Sequence, residues 1–414
     1  MHRLRTDAAG AAAAAARVRA MVPAGGSVAG AVAEIVTAVA EGGDAALLDH
    51  ERRFGGGAEP LRVDADELAA ALDGLDAGVR AGLEVAVANV GRVATAGLAA
   101  DVDVALAEGQ HVRLRELPVR RAAVYAPGGR TPYPSSVVMG AVTARAAGVA
   151  EVVVAAPGHP LILAACALCE ADEVYRMGGA QAIAALAYGT ESVAPVDVIV
   201  GPGNLYVQEA KRQVSDRVGI DGFAGPSDLV AIATAGADPH LVALDLLAQA
   251  EHGDDSLVVA VSDDEALLDA IAGELAAGRP TVAEGPKVAV AAADPEAALA
   301  FAEALAPEHL ELVGEAAEAL APRVTRAGCL FVGAASATAF GDYVAGSNHT
   351  LPTGGAARFA SGLSARHFRR RMSEVRIGPA AGALAHAGVP IAEAEGFAVH
   401  AESMRARIRD NPPR

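Results

Sequence analysis

The sequence predicts an α/β protein, and three observations carry that expectation. Short β-branched runs alternate with helical stretches of about ten to fifteen residues through the middle of the chain. Those runs are almost wholly apolar, as the strands of a parallel sheet covered on both faces must be. At 414 residues the chain also exceeds what one hydrophobic core supports, so two or more domains are expected.

The first stretch, MHRLRTDAAGAAAAAARVRAMVPAGG, sets basic residues before an alanine run and so loosely imitates a secretion signal. Asp7 and Gly10 break its start, Arg17 and Arg19 follow, and polyalanine is helix-prone but weakly apolar, so an amphipathic helix is expected instead. Ser27 can cap a helix that ends at Gly42 and Gly43, and Asp44 can start another. Asp64 and Glu67 have capping-box spacing ahead of a helical region reaching about Ala99. HVRLRELPVRR then reads as a polar strand, followed by AAVYA near 125, EVVVAA at 151, EVYRM at 173 and VDVIV at 196. A junction is expected near Gly225-Pro226, after which the alternation resumes with DLVAIA at 228, SLVVAV at 256, KVAVAAA at 287 and GCLFVG at 328. After Pro352 no further strand is expected: a Gly-rich loop, an Arg-rich segment (Arg366, Arg369, Arg370, Arg371) and helices form a tail that packs on a neighbour.

Composition narrows the function. A net charge of −18 disfavours nucleic acid and anionic membrane surfaces, and no apolar run reaches the length of a membrane span. Apolar residues make up 52% of the chain but aromatics only 3%, which points to close alanine-rich helix packing. Three cysteines give no disulfide framework and fit a reducing compartment, so the cytoplasm is the expected location. Cys166 and Cys169 form a C-x-x-C, but with no second pair and no strand-to-helix turn ahead of them they read as core packing.

Candidate chemistry begins at LDLLAQAEHGDD, where Gln249 and His252 leave one face of the last helical turn before Gly253. A carboxamide oxygen and an imidazole so placed make half of a metal site or an ordinary polar helix end. The usual G-x-G-x-x-G fingerprint is missing. Three weaker turns stand in its place: PGGRTPYPSS (127–136), GGAQA (178–182) and GPGN (201–204). Each follows a predicted strand and opens a helix, where free backbone N–H groups suit an anion. Among eleven histidines, His309 beside Glu308, His349 in the loop that holds Asp342, and His400 near Glu395 keep polar company.

Seven segments carry a resemblance beyond these local signals. GGAQAIAALAYGTE, VDVIVGPGNLYVQEAKRQV, AGPSD, DLLAQAEH, APEHLEL, GDYVAGSNHTLPTGGAARFASGLS and AEAEGFAVHA resemble, in order and spacing, the blocks of the histidinol dehydrogenase family over about residues 28–408. The resemblance implies oxidation of L-histidinol through L-histidinal to L-histidine with two NAD, the last step of histidine biosynthesis. It implies one Zn2+ per site, held by Gln249, His252, Asp342 and His400, the last from the partner subunit of a homodimer with shared active sites. Glu308 and His309 match the catalytic pair, with His309 as proton acceptor from the alcohol and Glu308 as activator of water. Ser227 and Glu395 match substrate contacts, alongside Gln249, His252, His309, Asp342 and His400. Tyr125, Gln181 and Asn204 match NAD-binding positions.

The fold so implied is two Rossmann-like, aldehyde-dehydrogenase-like parallel-sheet domains with small helical terminal segments. The expected division is an N-terminal helical segment at 1–26, a discontinuous first α/β domain at 27–120 plus 227–365, an NAD-binding second α/β domain at 121–226, and a C-terminal tail at 366–414. Chemically the ligand set suits zinc: two oxygens and two nitrogens with a single carboxylate leave the ion net positive. Glu395 and His400 are five residues apart, about 140° around a regular helix, so both reach one site only across a helix end or a bend near Gly396. Asp228 where the family commonly has Glu, Gly140 where Asn is frequent, and the basic FRRRMSEVRI are departures. They leave open a paralogue acting on another small alcohol, and beside it stands a non-catalytic NAD- or zinc-binding protein.

Overall fold

A computed structural model of the chain describes residues 1–22, 27–54, 60–128, 131–222, 225–277 and 282–408. Residues 23–26 of the first expected helix, Gly129 and Arg130 of the first glycine turn, and Ala224 of AGPSD lie outside the described residues. The chain divides into two compact units, Met1–Gly97 with Val119–Phe368 and Leu98–Pro118 with Arg369–Arg414.

The chain opens with strand β1 (His2–Thr6) and helix α1 (Ala11–Arg19). The first six residues therefore correct the expectation of a helix from residue 1. Leu4 is the buried member of HRLRT, and the strand pairs in parallel on the edge of a sheet, a placement that basic neighbours tolerate because they stay in water. Helix α2 (Ala29–Phe54) is two helices across a kink at Gly43, whose φ of 55° and ψ of −139° interrupt the run where the glycine pair signalled a break. Asp64 accepts from the Glu67 amide to cap α3 (Ala65–Asp73), and Asp76 caps α4 (Ala77–Ala96).

Strands β2 (Val102–Ala105) and β3 (His111–Pro118) belong to the second unit. The first unit continues with β4 (Arg121–Tyr125), α5 (Pro134–Ala146), β5 (Glu151–Ala156), α6 (Pro160–Leu168), β6 (Glu173–Arg176), α7 (Gly179–Tyr188), β7 (Val198–Val200), α8 (Leu205–Gln213) and β8 (Gly219–Ile220). Their five strands form a parallel sheet in the order β6-β5-β4-β7-β8. Then follow β9 (Asp228–Ala233), α9 (Pro239–Ala250), β10 (Leu257–Ser262), α10 (Glu265–Ala276), β11 (Lys287–Ala292), α11 (Pro295–Leu305), β12 (His309–Val313), α12 (Glu315–Glu318), β13 (Cys329–Val332) and α13 (Thr338–Tyr343). With β1 these strands make a second parallel sheet in the order β1-β11-β10-β9-β12-β13.

Numbered within its own segment, each sheet runs 3-2-1-4-5, the order of the dinucleotide-binding fold, with β1 as an extra edge strand on the second. Its switch points fall between β4 and β7 and between β9 and β12. Leu4, α1 and α11 cover one face of the six-stranded sheet, and α9 and α10 cover the other, which explains its near-continuous apolar strands. The expected grouping put residues 27–120 with 227–365. Helices α2, α3 and α4 instead pack against α7, α6 and α5, and Val32, Ile35, Val39 and Leu47 share one core with the five-stranded sheet. Cys166 and Cys169, on and just after α6, are both buried and free.

In the second unit, β14 (Arg369–Arg376) pairs antiparallel with β3, which pairs with β2. A strand thus follows Pro352 after all, contrary to the expectation. Arg371 stands opposite Glu116 and Glu374 opposite Arg113 in its register, so this basic run is half of a charge-matched hairpin-like ladder. Helices α14 (Ala381–Ala394) and α15 (Ala398–Arg405) pack through Ala385, Val389, Ala392 and Ala401. Gly396, at φ 80°, separates them, so Glu395 ends one helix and His400 lies on the next.

Candidate active site

Two sheet edges build one cleft in the first unit. The C-terminal ends of β4 and β7 supply Tyr125 and the turn Gly201–Asn204, while the N-terminal starts of β9 and β12 supply Ser227, Glu308 and His309. The cleft has a volume of about 2470 Å³ and is lined on one side by Tyr125, Gln181 and Asn204 and on the other by Ser227, Glu308 and His309. Gly201 permits the close passage of its two strands: at φ 119°, a Cβ there would lie 2.1 Å from the Tyr125 carbonyl oxygen.

His309 is 3% exposed. Its Nδ1 lies 3.4 Å from the Asp228 carbonyl, which can only accept, so the ring proton sits on Nδ1 and the Nε2 lone pair is left free. Nε2 lies 4.0 Å from an Asp342 carboxylate oxygen, and both residues line the cleft. Burial holds the imidazole down at about 4, with the Asp228 carbonyl opposing and His252 and His349 adding repulsion. It is neutral at pH 7, as a proton acceptor must be.

Glu308 is buried, and one carboxyl oxygen accepts from the Ser227 hydroxyl and, at 3.0 Å, from the Asp228 amide. Burial and the neighbouring Asp228 carboxylate push its carboxyl well above the usual range. That direction makes it a stronger base when ionised.

Gln249 ends α9, buried at 2% exposure, and its Nε2 donates to the Ser227 oxygen. Its carboxamide oxygen is thereby left as the group free to act as a ligand. His252 and Asp342 line the same cleft, and the Asp342 carboxyl, pushed up by burial to about 6, is drawn back down by His252. Among the described residues no three His, Cys, Asp or Glu side chains already form a metal-holding group. The donors brought together are two oxygens and one nitrogen, with the carboxamide oriented oxygen-free by Ser227, and this chemistry fits zinc. Glu395 and His400 belong to the second unit, where both are exposed and the His400 ring packs at 5.1 Å from Phe397.

Three glycine turns were expected to offer free amides to an anion, and two do not. The Gly178 amide donates to Glu51 at 2.9 Å and the Gly179 amide to the Tyr125 hydroxyl at 3.0 Å. Asn204 caps α8 by accepting from the Tyr206 and Val207 amides. Side chains of the protein thus occupy the helix starts that a phosphate takes in the usual fingerprint. Gln181 is held in turn, its Nε2 donating to Glu51 at 2.9 Å.

Comparison with known proteins decides the family. The model of the histidinol dehydrogenase family matches residues 22–408. The chain belongs to that family. It is 40% identical to the histidinol dehydrogenase of Gluconobacter oxydans over 413 residues, covering 93% of this chain and 94% of that one. With the histidinol dehydrogenase of Parasynechococcus marenigrum it shares 43% identity over 396 residues, covering 92% and 91%. The crystal structure of histidinol dehydrogenase from Elizabethkingia anophelis matches with a TM-score of 0.91 at 28% identity, over 99% of this chain and 98% of that one.

In and behind this cleft lie groups that sequence reasoning did not single out for a role. His349 Nδ1 sits 3.1 Å from the Asp342 carbonyl and its Nε2 lies 3.3 Å from the Ser136 hydroxyl, so the imidazole ties the end of α13, a helix where a loop was expected, to α5. Its polar neighbours in GSNHTLPTGG were the available signal. Glu51 gave none, because its partner turn lies 127 residues away. Asp245 and Glu311 are also buried, one turn before Gln249 on α9 and two residues after His309 on β12.

Proposed function

We propose that this cleft oxidises L-histidinol through L-histidinal to L-histidine with two NAD, as the last step of histidine biosynthesis. The observation that carries the reading is the buried pair Glu308 and His309, with His309 neutral and its Nε2 lone pair free. Gln249, His252, Asp342 and a His400 supplied by a second copy of the chain would hold one Zn2+ per site. Bound zinc supplies a grip on the amine and imidazole nitrogens of the substrate, and bound NAD supplies the hydride acceptor.

This chain's own residues handle the protons. His309 Nε2 accepts the hydroxyl proton as the alcohol carbon loses hydride, giving the aldehyde. Glu308 takes a proton from the water that adds to the aldehyde carbon, giving the hydrate as its oxyanion. Loss of that oxyanion's C–H as a second hydride yields the acid. Ser227 orients Gln249 on one side and Glu308 on the other, and Glu395 completes the substrate contacts. Tyr125, Gln181 and Asn204 contact NAD, with Glu51 holding Gln181 in place.

A homodimer with shared sites is part of the reading. Ile391, Phe397 and Val399 are exposed apolar side chains on the two helices of the second unit, Phe397 against His400 itself, and suit a second copy. No described helix is long and apolar enough to cross a membrane, and we place the enzyme in the cytoplasm.

The test is NADH formation by zinc-loaded protein with L-histidinol set against a panel of other small amino alcohols. Selective turnover of L-histidinol is expected. Preference for another alcohol would replace the substrate, and no turnover of any would leave a binding protein.

A further inference from the structure

Glu308 does not stand alone at the start of β12: a chain of groups runs from it through Asp228 to the first helix of the molecule. Asp228 and Glu308 exchange hydrogen bonds across β9 and β12. The Asp228 amide donates to the Glu308 carboxylate at 3.0 Å, and the Glu308 amide donates to the Asp228 carboxylate at 2.8 Å. Each residue thus fixes both the main chain and the side chain of the other. Asp228 is fully buried, and a buried carboxylate needs a cation or several hydrogen bonds to stay there.

The cation is Arg19, the last residue of α1. Its Nη1 donates to the second Asp228 carboxylate oxygen at 2.5 Å, and its Nη2 donates to the Leu305 carbonyl at 2.8 Å. Leu305 ends α11 and is followed by Ala306, a buried non-glycine residue in the left-handed region at φ 50°. Such a residue persists only when its surroundings fix it. Arg19 therefore holds the two things that set where Glu308 points: the carboxylate beside it and the strained turn two residues before it.

We propose that Arg19 and Asp228 are positioning residues for Glu308 in the second of the two oxidations. Neither lines the cleft, so neither is expected to touch substrate or NAD. The inference rests on the reading that Glu308 activates the water that adds to the aldehyde while His309 serves the alcohol step. Removing the guanidinium frees the Asp228 carboxylate from its counter-ion and the Ala306 turn from its anchor. Both changes act on Glu308 before they act on His309, whose Nδ1 contact is to the Asp228 main chain.

The test compares Arg19→Met and Arg19→Lys as full-length, zinc-loaded proteins in two assays. The first oxidation is followed from L-histidinol with the aldehyde trapped by semicarbazide, and the second from supplied L-histidinal. For Arg19→Met the second oxidation is expected to fall about 10-fold or more while the first changes less than about 3-fold, and Arg19→Lys, which keeps the charge, recovers most of the loss. Equal losses in both steps, no loss in either, or a lysine variant as impaired as the methionine one would overturn the proposal. If Arg19→Met does not fold, Asp228→Asn takes its place, with the same split expected and the same outcomes against it. Wild-type protein that oxidises neither compound would defeat the reading of the cleft instead. A crystal structure of Arg19→Met then decides the positioning claim: Glu308 leaving the Ser227 hydroxyl and the Asp228 amide supports it, and an unmoved Glu308 overturns it.

Discussion

Gln249 donates its carboxamide N–H to the hydroxyl oxygen of Ser227, and that hydroxyl in turn donates to Glu308. One serine therefore leaves the carboxamide oxygen free to act as a ligand and holds the carboxylate proposed to activate water. Ser227→Ala is expected to weaken zinc binding about 10-fold or more, the usual effect of removing a group that orients a metal ligand. Competition against a chelator measures it. Unchanged affinity would mean that Gln249 is oriented by something else.

Asp245 and Glu311 hydrogen-bond carboxyl to carboxyl inside the core, and one Glu311 oxygen has no partner among the described residues. Burial, then repulsion from Asp245, pushes Glu311 up to about 9, so the pair holds a proton at neutral pH. The folded protein keeps that proton where the unfolded chain, with an ordinary carboxyl, has lost it. Its stabilising effect is complete below the ordinary range near 4.5 and is lost as pH rises toward 9. Glu311→Gln, which keeps a donor to Asp245 and cannot ionise, should flatten this slope. Melting temperatures at pH 5 and pH 9 are expected to show the variant gaining on wild type at the higher pH. A wild-type advantage that grows with pH would refute the shared proton.

Much of this was legible because it is local. Apart from the two-residue β8, which no run announced, the strands from 121 to 332 declared themselves by their apolar pattern, and Gln249, His252, Glu308, His309 and Asp342 stood out by motif. What escaped depends on distant pairing. HRLRT looks like the start of a basic helix, and only β11 beside it makes it a strand. Residues 369–376 look like a solvated Arg run until β3 presents Glu116 and Arg113 across from Arg371 and Glu374. The amides of Gly178 and Gly179 read as free, since neither Glu51 nor the Tyr125 hydroxyl is near in sequence. Asp245 sits in an ordinary-looking helix and Glu311 in an ordinary-looking strand, and nothing local says that both carboxyls point into the core.

Sharing of sites between two copies can be tested by mixing. A His252→Asn protein and a His400→Asn protein are each expected to be inactive. Mixed and allowed to exchange subunits, they should regain about a quarter of wild-type activity per site, since random pairing of two copies places both intact halves together in that share of sites. Two inactive proteins that remain inactive when mixed, although exchange is shown to occur, would place the whole site in one chain.

The central claim is that one cleft performs both oxidations, with separate bases for the two proton transfers. The most direct measurement is the yield of NADH from a limiting amount of L-histidinol, with excess NAD and zinc-loaded protein. Wild type should give two NADH per substrate. Glu308→Gln should give the first NADH and then stall, with the second slowed about 100-fold or more, the range for loss of a general base. One NADH per substrate from the wild-type protein, or an undiminished second oxidation in Glu308→Gln, would contradict it.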